Sequence, residues 1–468
     1  MSSCITTPWM TESLCPTCLQ RVAAERVVEN DVVWLVKTCP EHGTTRTVLW
    51  RGAPLLSDWQ WPKIPSRPPV CFTEPDRGCP YDCGLCSNHG QHTCSALLEI
   101  TERCNMACPV CFADSGKNAA ADPTLETIDG WLQAVGRASG FEIVIQLSGG
   151  EPTVREDLPE IIRRVRQRGF GFVQINTNGL RLAEDPAYAR QLYDAGLTSV
   201  FLQFDGTSDE IYRQLRGRDL YSVKVRAIEH AVRSHLGVVL VPTLVPGINQ
   251  QDVGNILRFG MQYAPGVRGV HFQPVSYFGR YPQPPENDRR LTLPEIIRSI
   301  AEQTEGLFQV ENFSPPGCEH SHCSFHGNFV LLENGDVCAL GNNGSACCSK
   351  PTPAAEGAEK SKAFLTRQWA APEVETPAGK SAGPQENCCR SPRTPSLDEF
   401  LQRVKTHTFA VSAMAFQDVW NVDLERTRNC CIHVVSPDGR LVPFCLYNLT
   451  SADGEALHRG KWHANNPA

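Results

Sequence analysis

Short apolar runs alternate with amphipathic stretches through the middle of the chain, from about residue 96 to residue 290. The run 143–147 is apolar at nearly every position, which is typical of a strand buried on both faces. The stretch that follows repeats apolar residues at the spacing of one helical face, as at Leu158, Ile161 and Val165. The pattern predicts strands at 96–100, 143–147, 172–175, 200–204, 238–242 and 270–272, with helices between them.

Six strands separated by helices predict parallel βα units joined by right-handed crossovers. Such units form either an open, doubly wound sheet or a full or partial barrel. In both architectures ligands bind at the carboxyl ends of the strands. We therefore expect an α/β fold whose site residues directly follow strands.

The residues on either side of this region differ in composition. Residues 1–95, 291–348 and 391–468 are rich in cysteine and show less regular hydrophobic patterning. The segment 349–385 is rich in Pro, Ala, Glu and Lys, a composition that predicts a flexible surface insertion.

Composition and charge exclude several classes of function. Lys plus Arg total 44 and Asp plus Glu total 51, which gives a formal net charge of −7. This balance, with 41% hydrophobic residues, excludes a disordered chain and a strongly basic nucleic-acid-binding protein. No apolar run reaches the roughly 18 residues of a membrane span. Because the N-terminus also lacks a signal-peptide pattern, we expect a cytoplasmic protein without a transmembrane segment.

The 22 cysteines are distributed in clusters, and none lies between Cys111 and Cys318. Clustered cysteines in a reducing compartment are usually metal ligands or catalysts, not disulfides. Cys104, Cys108 and Cys111 directly follow the first predicted strand. Three thiolates leave one iron of a cubane cluster open to another ligand. The alternative is a zinc site completed by a distant fourth ligand.

Further polar motifs follow the next three strands. Ser148-Gly149-Gly150-Glu151-Pro152 follows the second strand, Thr177-Asn178-Gly179 the third and Asp205-Gly206 the fourth. With the preceding cysteine motif, this order resembles the radical S-adenosylmethionine (SAM) superfamily. The resemblance covers about residues 95–290 and implies a partial (β/α)6 barrel there.

The resemblance also implies roles for these residues. Cys104, Cys108 and Cys111 would hold a 4Fe-4S cluster whose fourth iron binds SAM, and the reduced cluster would cleave SAM to a 5′-deoxyadenosyl radical. His271, in the same pattern, would touch SAM or substrate, or else be a satisfied polar residue of the core. The residues expected to bind the cofactor are Gly149, Gly150, Glu151, Asn176, Thr177, Asn178, Asp205, Thr243 and Gln273.

Two cysteine motifs precede the barrel. Cys79, Cys83 and Cys86 repeat the spacing of the cluster motif without the glycine-rich motif after it, so we expect an auxiliary 4Fe-4S cluster with Cys94 as its fourth ligand, or a zinc site. Further upstream, paired metal knuckles predict a mononuclear tetrahedral site for zinc or a rubredoxin-like iron. Its ligands would be Cys15, Cys18, Cys39 and His42.

The C-terminal region offers ligands for another auxiliary cluster. Turns at Glu333–Asp336 and Pro437–Gly439 predict hairpins that deliver Cys338 and Cys445. We expect a site formed by Cys318, Cys323, Cys338 and Cys445, with Cys431 as the main rival ligand. The pairs Cys347-Cys348 and Cys388-Cys389 border the predicted insertion, and the sequence assigns them no role.

These expectations divide the chain into four parts. They are a metal-binding module at 1–70, an auxiliary iron–sulfur segment at 71–95, the barrel at 96–290, and a C-terminal auxiliary-cluster region at 291–468 that contains the insertion.

A closer resemblance extends over most of the chain outside the insertion. The CPxC and CPEHG knuckles, the doubled cluster motif, 271–276 and 443–448 are similar to a group that includes tetraether lipid synthase and a dihydropterin methyltransferase. The resemblance implies carbon–carbon bond formation, by C-methylation or alkyl coupling, on a small molecule or lipid. It also implies a flavodoxin- or ferredoxin-type electron donor. The alternatives are a peptide-modifying maturase and an electron-transfer protein without turnover.

Overall fold

The computed structural model describes residues 9–116, 120–281, 283–340, 351–372 and 397–460. Its first part is a four-stranded antiparallel sheet in the order β1-β2-β3-β4. The strands are β1 (Trp9–Leu14), β2 (Arg21–Glu29), β3 (Val32–Cys39) and β4 (Gly43–Arg51).

The central sheet confirms the predicted parallel series. Its six strands are neighbours in the order in which they occur along the chain, and every pair is parallel. Their buried positions are continuous, as at Val144 and Ile145, since both faces of the sheet are covered. The strands are β6 (Ser95–Thr101), β7 (Val144–Gly149), β8 (Phe172–Thr177), β9 (Ser199–Gln203), β10 (Gly237–Val241) and β12 (Val267–Pro274). The short β11 (Thr243–Leu244) pairs with β12.

Helices connect these strands and pack their apolar faces on the sheet. The first helix starts after Thr124, whose side chain accepts a hydrogen bond from the Thr127 backbone N–H. The helices are α1 (Leu125–Ser139), α2 (Leu158–Gln167), α3 (Leu180–Glu184), α4 (Pro186–Asp194), α5 (Asp209–Arg216), α6 (Tyr221–Arg233), α7 (Val253–Gln262) and α8 (Leu293–Gln303).

The C-terminal region extends the sheet at both edges. At one edge β16 pairs with β12 in parallel, and β13 and β14 follow in antiparallel pairs. At the other edge β17 pairs with β6 in parallel, and β18 pairs with β17. The α/β partial barrel thus continues into both cysteine-rich flanks. These strands are β13 (Ser324–Leu331), β14 (Val337–Ala339), β16 (Thr408–Met414), β17 (Ile432–Val435) and β18 (Leu441–Pro443).

The segment predicted to be a flexible insertion contains an ordered helix, so this prediction is wrong for part of 349–385. The two-residue strands β5 (Lys63–Ile64) and β15 (Thr352–Pro353) pair, and α9 (Ala354–Trp369) follows. Ala358 and Trp369 on this helix are buried against the barrel. Arg268 and Gln368 exchange hydrogen bonds that fix its end. The composition of the segment did not predict this helix, because the helix has few apolar residues and they pack only against residues distant in the chain.

Three short helices complete the described chain, namely α10 (Leu397–Thr406), α11 (Leu424–Arg428) and α12 (Phe444–Asn448). None of the helices described in the structure is both long enough and apolar enough to cross a membrane. The pairs Cys347-Cys348 and Cys388-Cys389 lie outside the described residues.

Candidate active site and metal centres

A cavity of about 710 Å³ extends from the carboxyl ends of the parallel strands into the barrel. Cys104, Cys108 and Cys111 line it. Its lining also includes residues of α9 and two cysteines from the flanks, Cys318 and Cys431. Its volume lies within the roughly 300–1,000 Å³ that is typical of small-molecule sites.

The loop that carries the cluster motif is fixed by hydrogen bonds from other elements. Cys111 and Arg280 exchange backbone hydrogen bonds, each 2.9 Å long. The Arg280 side chain also donates to the Cys108 carbonyl at 2.9 Å. Arg216 donates to the Val110 carbonyl at 3.2 Å. These protein contacts fix the conformation of the loop.

The three thiols of this loop are the ligand type that iron–sulfur clusters take. Cys104, Cys108 and Cys111 all line the cavity, so a cluster held by them would be open to a further ligand there. Burial, followed by nearby Glu151 and the two other thiols, raises the pKa of Cys104 to about 11. Binding a cation would offset this repulsion between thiolates.

Gly149 and Gly150 pack against the turn that leads into the cluster loop. A Cβ on Gly149 would lie 2.1 Å from the Thr101 carbonyl oxygen, and one on Gly150 would lie 2.1 Å from that of Arg103. The Gly150 N–H donates to the Thr101 carbonyl at 2.7 Å. The glycines therefore allow two loops to approach, in addition to lining the cavity.

Glu151 is buried, and its carboxylate is occupied by protein donors. Oε1 accepts hydrogen bonds from the Thr153 and Thr177 hydroxyls at 2.7 and 2.6 Å. Oε2 accepts from the Asn178 N–H at 2.7 Å. Glu151 thus joins the ends of β7 and β8, and this arrangement differs from the expected direct role at the cofactor.

The asparagines after β8 have different surroundings. The Asn178 side chain donates to Asn105 Oδ1 of the cluster loop at 2.7 Å. Asn176 donates to Ser148 Oγ at 3.3 Å, but its own buried Oδ1 has no hydrogen-bond partner among the described residues. Since Asn176 lines the cavity, this oxygen is available to a bound ligand.

Asp205 and Thr243 belong to a buried network around Arg216. Arg216 binds both carboxylate oxygens of Asp205, at 2.7 and 2.8 Å. It also donates to Thr243 Oγ1 at 3.2 Å. The Asp205 carboxylate thus neutralises the guanidinium that holds the cluster loop. Sequence reasoning missed Arg216 because an arginine at a helix end is usually solvated.

Lys224 is a second buried cation that sequence reasoning missed. Its ammonium donates to the Asn178 carbonyl at 2.5 Å and to Gln203 Oε1 at 3.0 Å. Burial lowers the pKa of Lys224 to about 8. The sequence did not identify Lys224, because a lysine on an amphipathic helix is usually exposed to solvent.

His271 and Gln273 lie on β12 and line the cavity, as expected for residues that point into the barrel. Gln273 is the register partner of Thr243. His271 Nδ1 lies 2.9 Å from Ser412 Oγ of β16. Burial lowers the pKa of His271 to about 4, so its ring is neutral near pH 7.

The structure separates Cys94 from the motif to which it was assigned. The Cys94 N–H donates to the Cys431 carbonyl at 2.8 Å, because β17 pairs in parallel with β6 directly after these residues. The sulfurs of Cys94, Cys318 and Cys431 lie within 4.8 Å of one another. Cys94 and Cys318 form a disulfide, which the sequence analysis did not anticipate. Cys431, the alternative ligand for the C-terminal site, thus lies next to Cys318.

Cys79, Cys83 and Cys86 line a smaller cavity together with His89. A hydrogen bond with Cys83 lowers the pKa of Cys79 to about 7, which favours a thiolate there. Cys71 interacts electrostatically with Cys86. Cys71 and His89 therefore replace Cys94 as candidates for a fourth ligand.

The N-terminal sheet brings together the four residues predicted to form a mononuclear site. Cys15, Cys18, Cys39 and His42 place their ligand atoms within 4.8 Å of one another. His42 Nδ1 lies 3.6 Å from Cys15 Sγ and 3.5 Å from Cys39 Sγ. Three sulfurs and one imidazole around a point fit a tetrahedral metal ion.

The predicted C-terminal set is brought together only in part, because Cys323 and Cys445 interact electrostatically whereas Cys338 lies apart. Cys338 lies on β14 and pairs with Val330 of β13. Val330 is seven residues beyond Cys323 in an extended chain, so Cys323 and Cys338 are about 20 Å apart. Cys445 follows β18 in α12 and accepts a hydrogen bond from the Gln417 N–H. Cys323 instead accepts two hydrogen bonds from Arg426. The hairpins were predicted correctly, but their positions in the sheet were not.

Comparisons with known proteins agree with this arrangement. The chain matches the Radical SAM superfamily over residues 98–260 and the HMPTM N-terminal zinc ribbon domain over residues 8–51. A 7,8-dihydro-6-hydroxymethylpterin dimethyltransferase of Methanocaldococcus jannaschii is 33% identical over 94% of this chain and 93% of its own length. A probable GTP 3',8-cyclase of Methanothermobacter thermautotrophicus is 32% identical, over 36% of this chain and 55% of its own length.

Similar solved structures cover about half of the chain. One is methylornithine synthase (PylB), with a TM-score of 0.37, 18% identity, and coverage of 47% of this chain and 64% of that chain. Another is the FeFe-hydrogenase maturase HydG from Carboxydothermus hydrogenoformans, with a TM-score of 0.37, 14% identity, and coverage of 46% and 52%. The relationship rests instead on the nearly full-length sequence match, which shows that this chain is a radical SAM enzyme of the family that includes the dihydropterin dimethyltransferase.

Proposed function

We propose that this radical SAM enzyme methylates a carbon atom of a compact nitrogen heterocycle such as 7,8-dihydro-6-hydroxymethylpterin. The observation that carries the proposal is the single cavity that joins the cluster motif to a barrel interior rich in amide side chains. A relative named for methylation of that pterin, which aligns over 94% of this chain, supports the choice of reaction.

Cys104, Cys108 and Cys111 would hold the 4Fe-4S cluster, and the free Oδ1 of Asn176 would accept a hydrogen bond from SAM. Bound together, cluster and SAM supply one-electron cleavage of the sulfonium and a carbon-centred radical. The protein's own residues position this chemistry, since Arg216 and Arg280 hold the cluster loop.

We assign additional metal sites to the flanks. Cys15, Cys18, Cys39 and His42 would bind one zinc or iron ion, since their ligand atoms already converge. In the reduced protein, Cys94, Cys318 and Cys431 would hold an auxiliary cluster at the cavity wall. The set Cys79, Cys83 and Cys86 would hold another. A flavodoxin- or ferredoxin-type protein would supply electrons.

The central experiment is anaerobic turnover of reconstituted protein with dithionite, SAM and the dihydropterin. We expect 5′-deoxyadenosine as one product. The other should be a pterin that carries the labelled methyl group when methyl-labelled SAM is used, as detected by its mass. Cys108→Ala should abolish deoxyadenosine formation, because the SAM-binding cluster is lost, whereas Cys83→Ala should retain some.

Two results would contradict these assignments. A fully loaded enzyme that forms no deoxyadenosine with any reductant would overturn the proposed activity. Equal, complete loss in Cys83→Ala and Cys108→Ala, with the Cys104 cluster still present, would overturn the distinction between the two motifs.

Alkyl coupling, the other reaction that the sequence left open, has weaker support. Long alkyl chains need a continuous apolar channel, but Gln146, Asn176 and Gln203 line this cavity. No observation on the described residues favours the peptide-modifying alternative.

A further inference from the structure

We propose that Asn328, Ser412 and His271, on the strands that extend the barrel, bind the polar edge of a flat heterocycle that carries N–H donors. This inference rests on the proposed function and adds to it the part of the cavity wall that recognises the substrate. The residues belong to β13, β16 and β12, and Asn328 and Ser412 lie outside the motifs expected to bind SAM.

Strand register places these side chains on one face of the wall. His271 is the register partner of Ser412, and Ser412 is the partner of His326. Two residues away on each of these strands, Ala410 is the partner of Asn328. Because residues two positions apart on a strand face the same side, the histidines, Ser412 and Asn328 share a face. All of them line the cavity.

An unpaired hydrogen-bond acceptor in the wall, the side-chain oxygen of Asn328, indicates which group the ligand must present. Asn328 Oδ1 is buried and has no hydrogen-bond partner among the described residues. An amide oxygen can only accept, and leaving it unpaired in a folded protein is costly. A ligand that presents an N–H group to this wall would satisfy it.

Aromatic rings beside this wall favour a flat ligand. Phe201 lies 5.5 Å from His271 and 5.2 Å from Trp369, measured between ring centroids. All three rings line the cavity, and Trp369 belongs to α9. A planar ring could stack on this group while its edge reaches the polar face.

Strands β7–β9 of the barrel supply a second set of polar groups. Gln146 donates to Gln174 Oε1 at 2.8 Å, and Gln174 donates to Ser199 Oγ at 3.2 Å. Gln146 lines the cavity. Two sets of polar groups and several aromatic rings in one cavity suit an uncharged heterocycle with donors and acceptors around its edge. The neutral ring of His271 fits such a ligand, because it imposes no charge.

The test measures binding of 7,8-dihydro-6-hydroxymethylpterin to the reconstituted holoenzyme by anaerobic equilibrium dialysis, without reductant. We expect Asn328→Leu and Ser412→Ala each to raise the Kd for the pterin roughly tenfold, the effect of one lost hydrogen bond. SAM binding and iron content should stay unchanged. Asn255→Leu, on the exposed surface of α7, is the matched control and should bind the pterin normally.

A ligand variant shows which partner donates. An analogue whose exocyclic amine is replaced by oxygen should bind the wild type more weakly than the pterin does, and Asn328→Leu should lose most of this preference. Folded variants that bind the pterin as tightly as the wild type would overturn the inference while leaving the proposed reaction intact.

Guanosine separates the remaining outcomes, because it carries a similar amine and amide edge. If the wild type binds guanosine but not the pterin, and Asn328→Leu weakens that binding, the inference holds and the proposed substrate fails. If the wild type binds neither compound, the inference is overturned. In that case, deoxyadenosine formation still reports separately on the radical SAM activity.

Discussion

At the scale of single residues, this site depends on groups that fix the cluster loop. Arg216 and Arg280 donate to its carbonyls, and Gly149 and Gly150 let the neighbouring turn approach it. The sequence identified the glycines by their motif. It gave no sign of the two arginine contacts, since those depend on side chains reaching across from other elements.

Gly150→Ala tests the close approach of the two loops. Its Cβ would lie 2.1 Å from the Arg103 carbonyl, so the turn before Cys104 must move. We expect SAM cleavage to fall about a hundredfold, the size of effect that a displacement of about 1 Å produces in an active site. Gly130→Ala on α1, which meets no atom within 4 Å, is the control and should keep full activity. Normal deoxyadenosine formation by Gly150→Ala would contradict this steric role.

Arg216→Met tests the buried ion pair. Asp205 is fully buried and would keep its charge after losing the guanidinium that pairs with it, so we expect a loss of about 3–5 kcal/mol in the free energy of unfolding by urea. The double variant Arg216→Met/Asp205→Leu should recover most of the loss. Arg213→Met, which breaks only exposed pairs, should cost about 0–1 kcal/mol. Equal stability of Arg216→Met and Arg213→Met would exclude a structural role for the pair.

At the scale of elements, α9 shows how tertiary packing overrides composition. Its residues are mostly small or charged, and they predict a mobile segment. Trp369 nevertheless packs against Phe201 and His271 inside the barrel. The barrel offers an apolar surface to this side chain and hydrogen bonds to Gln368, and local sequence reveals neither contact.

Trp369→Ala should therefore release α9 from the barrel. Removing a large buried side chain costs about 3–5 kcal/mol. We expect faster limited proteolysis within 351–372, measured by mass spectrometry of the fragments. Lys360→Ala on the same helix, where 74% of the lysine side chain is exposed, should be cleaved at the wild-type rate. Unchanged cleavage of Trp369→Ala would show that other contacts hold the helix.

At the scale of the whole molecule, the N-terminal sheet and the C-terminal region form one structure. Lys37 is buried and donates to the Val419 carbonyl at 2.7 Å. Arg26 forms a buried ion pair with Asp423 at 2.6 Å. The N-terminal sheet is thus fixed to the segment that precedes Cys431.

Buried histidines in separate parts of the molecule predict sensitivity to acid. Burial lowers the pKa of His89 to about 4, that of His271 to about 4 and that of His320 to about 3. Between pH 6.5 and 4 the unfolded chain therefore binds more protons than the folded chain, and stability falls as the pH falls. We expect the urea midpoint to decrease through this range, and His271→Gln should reduce the slope. An identical slope in the variant would contradict the contribution of His271.

The sequence by itself determined the α/β class and the alternation of parallel strands with helices, and it predicted which four residues of the N-terminal sheet lie together. Each of these depends on spacing within one short segment or on a repeating pattern. Only the tertiary structure decided that Cys94 joins Cys318 and Cys431, that Cys338 lies apart, and that the C-terminal strands complete the cavity wall. Those arrangements come from pairing between strands far apart in the chain, and the register of such pairs is fixed by packing and not by local sequence.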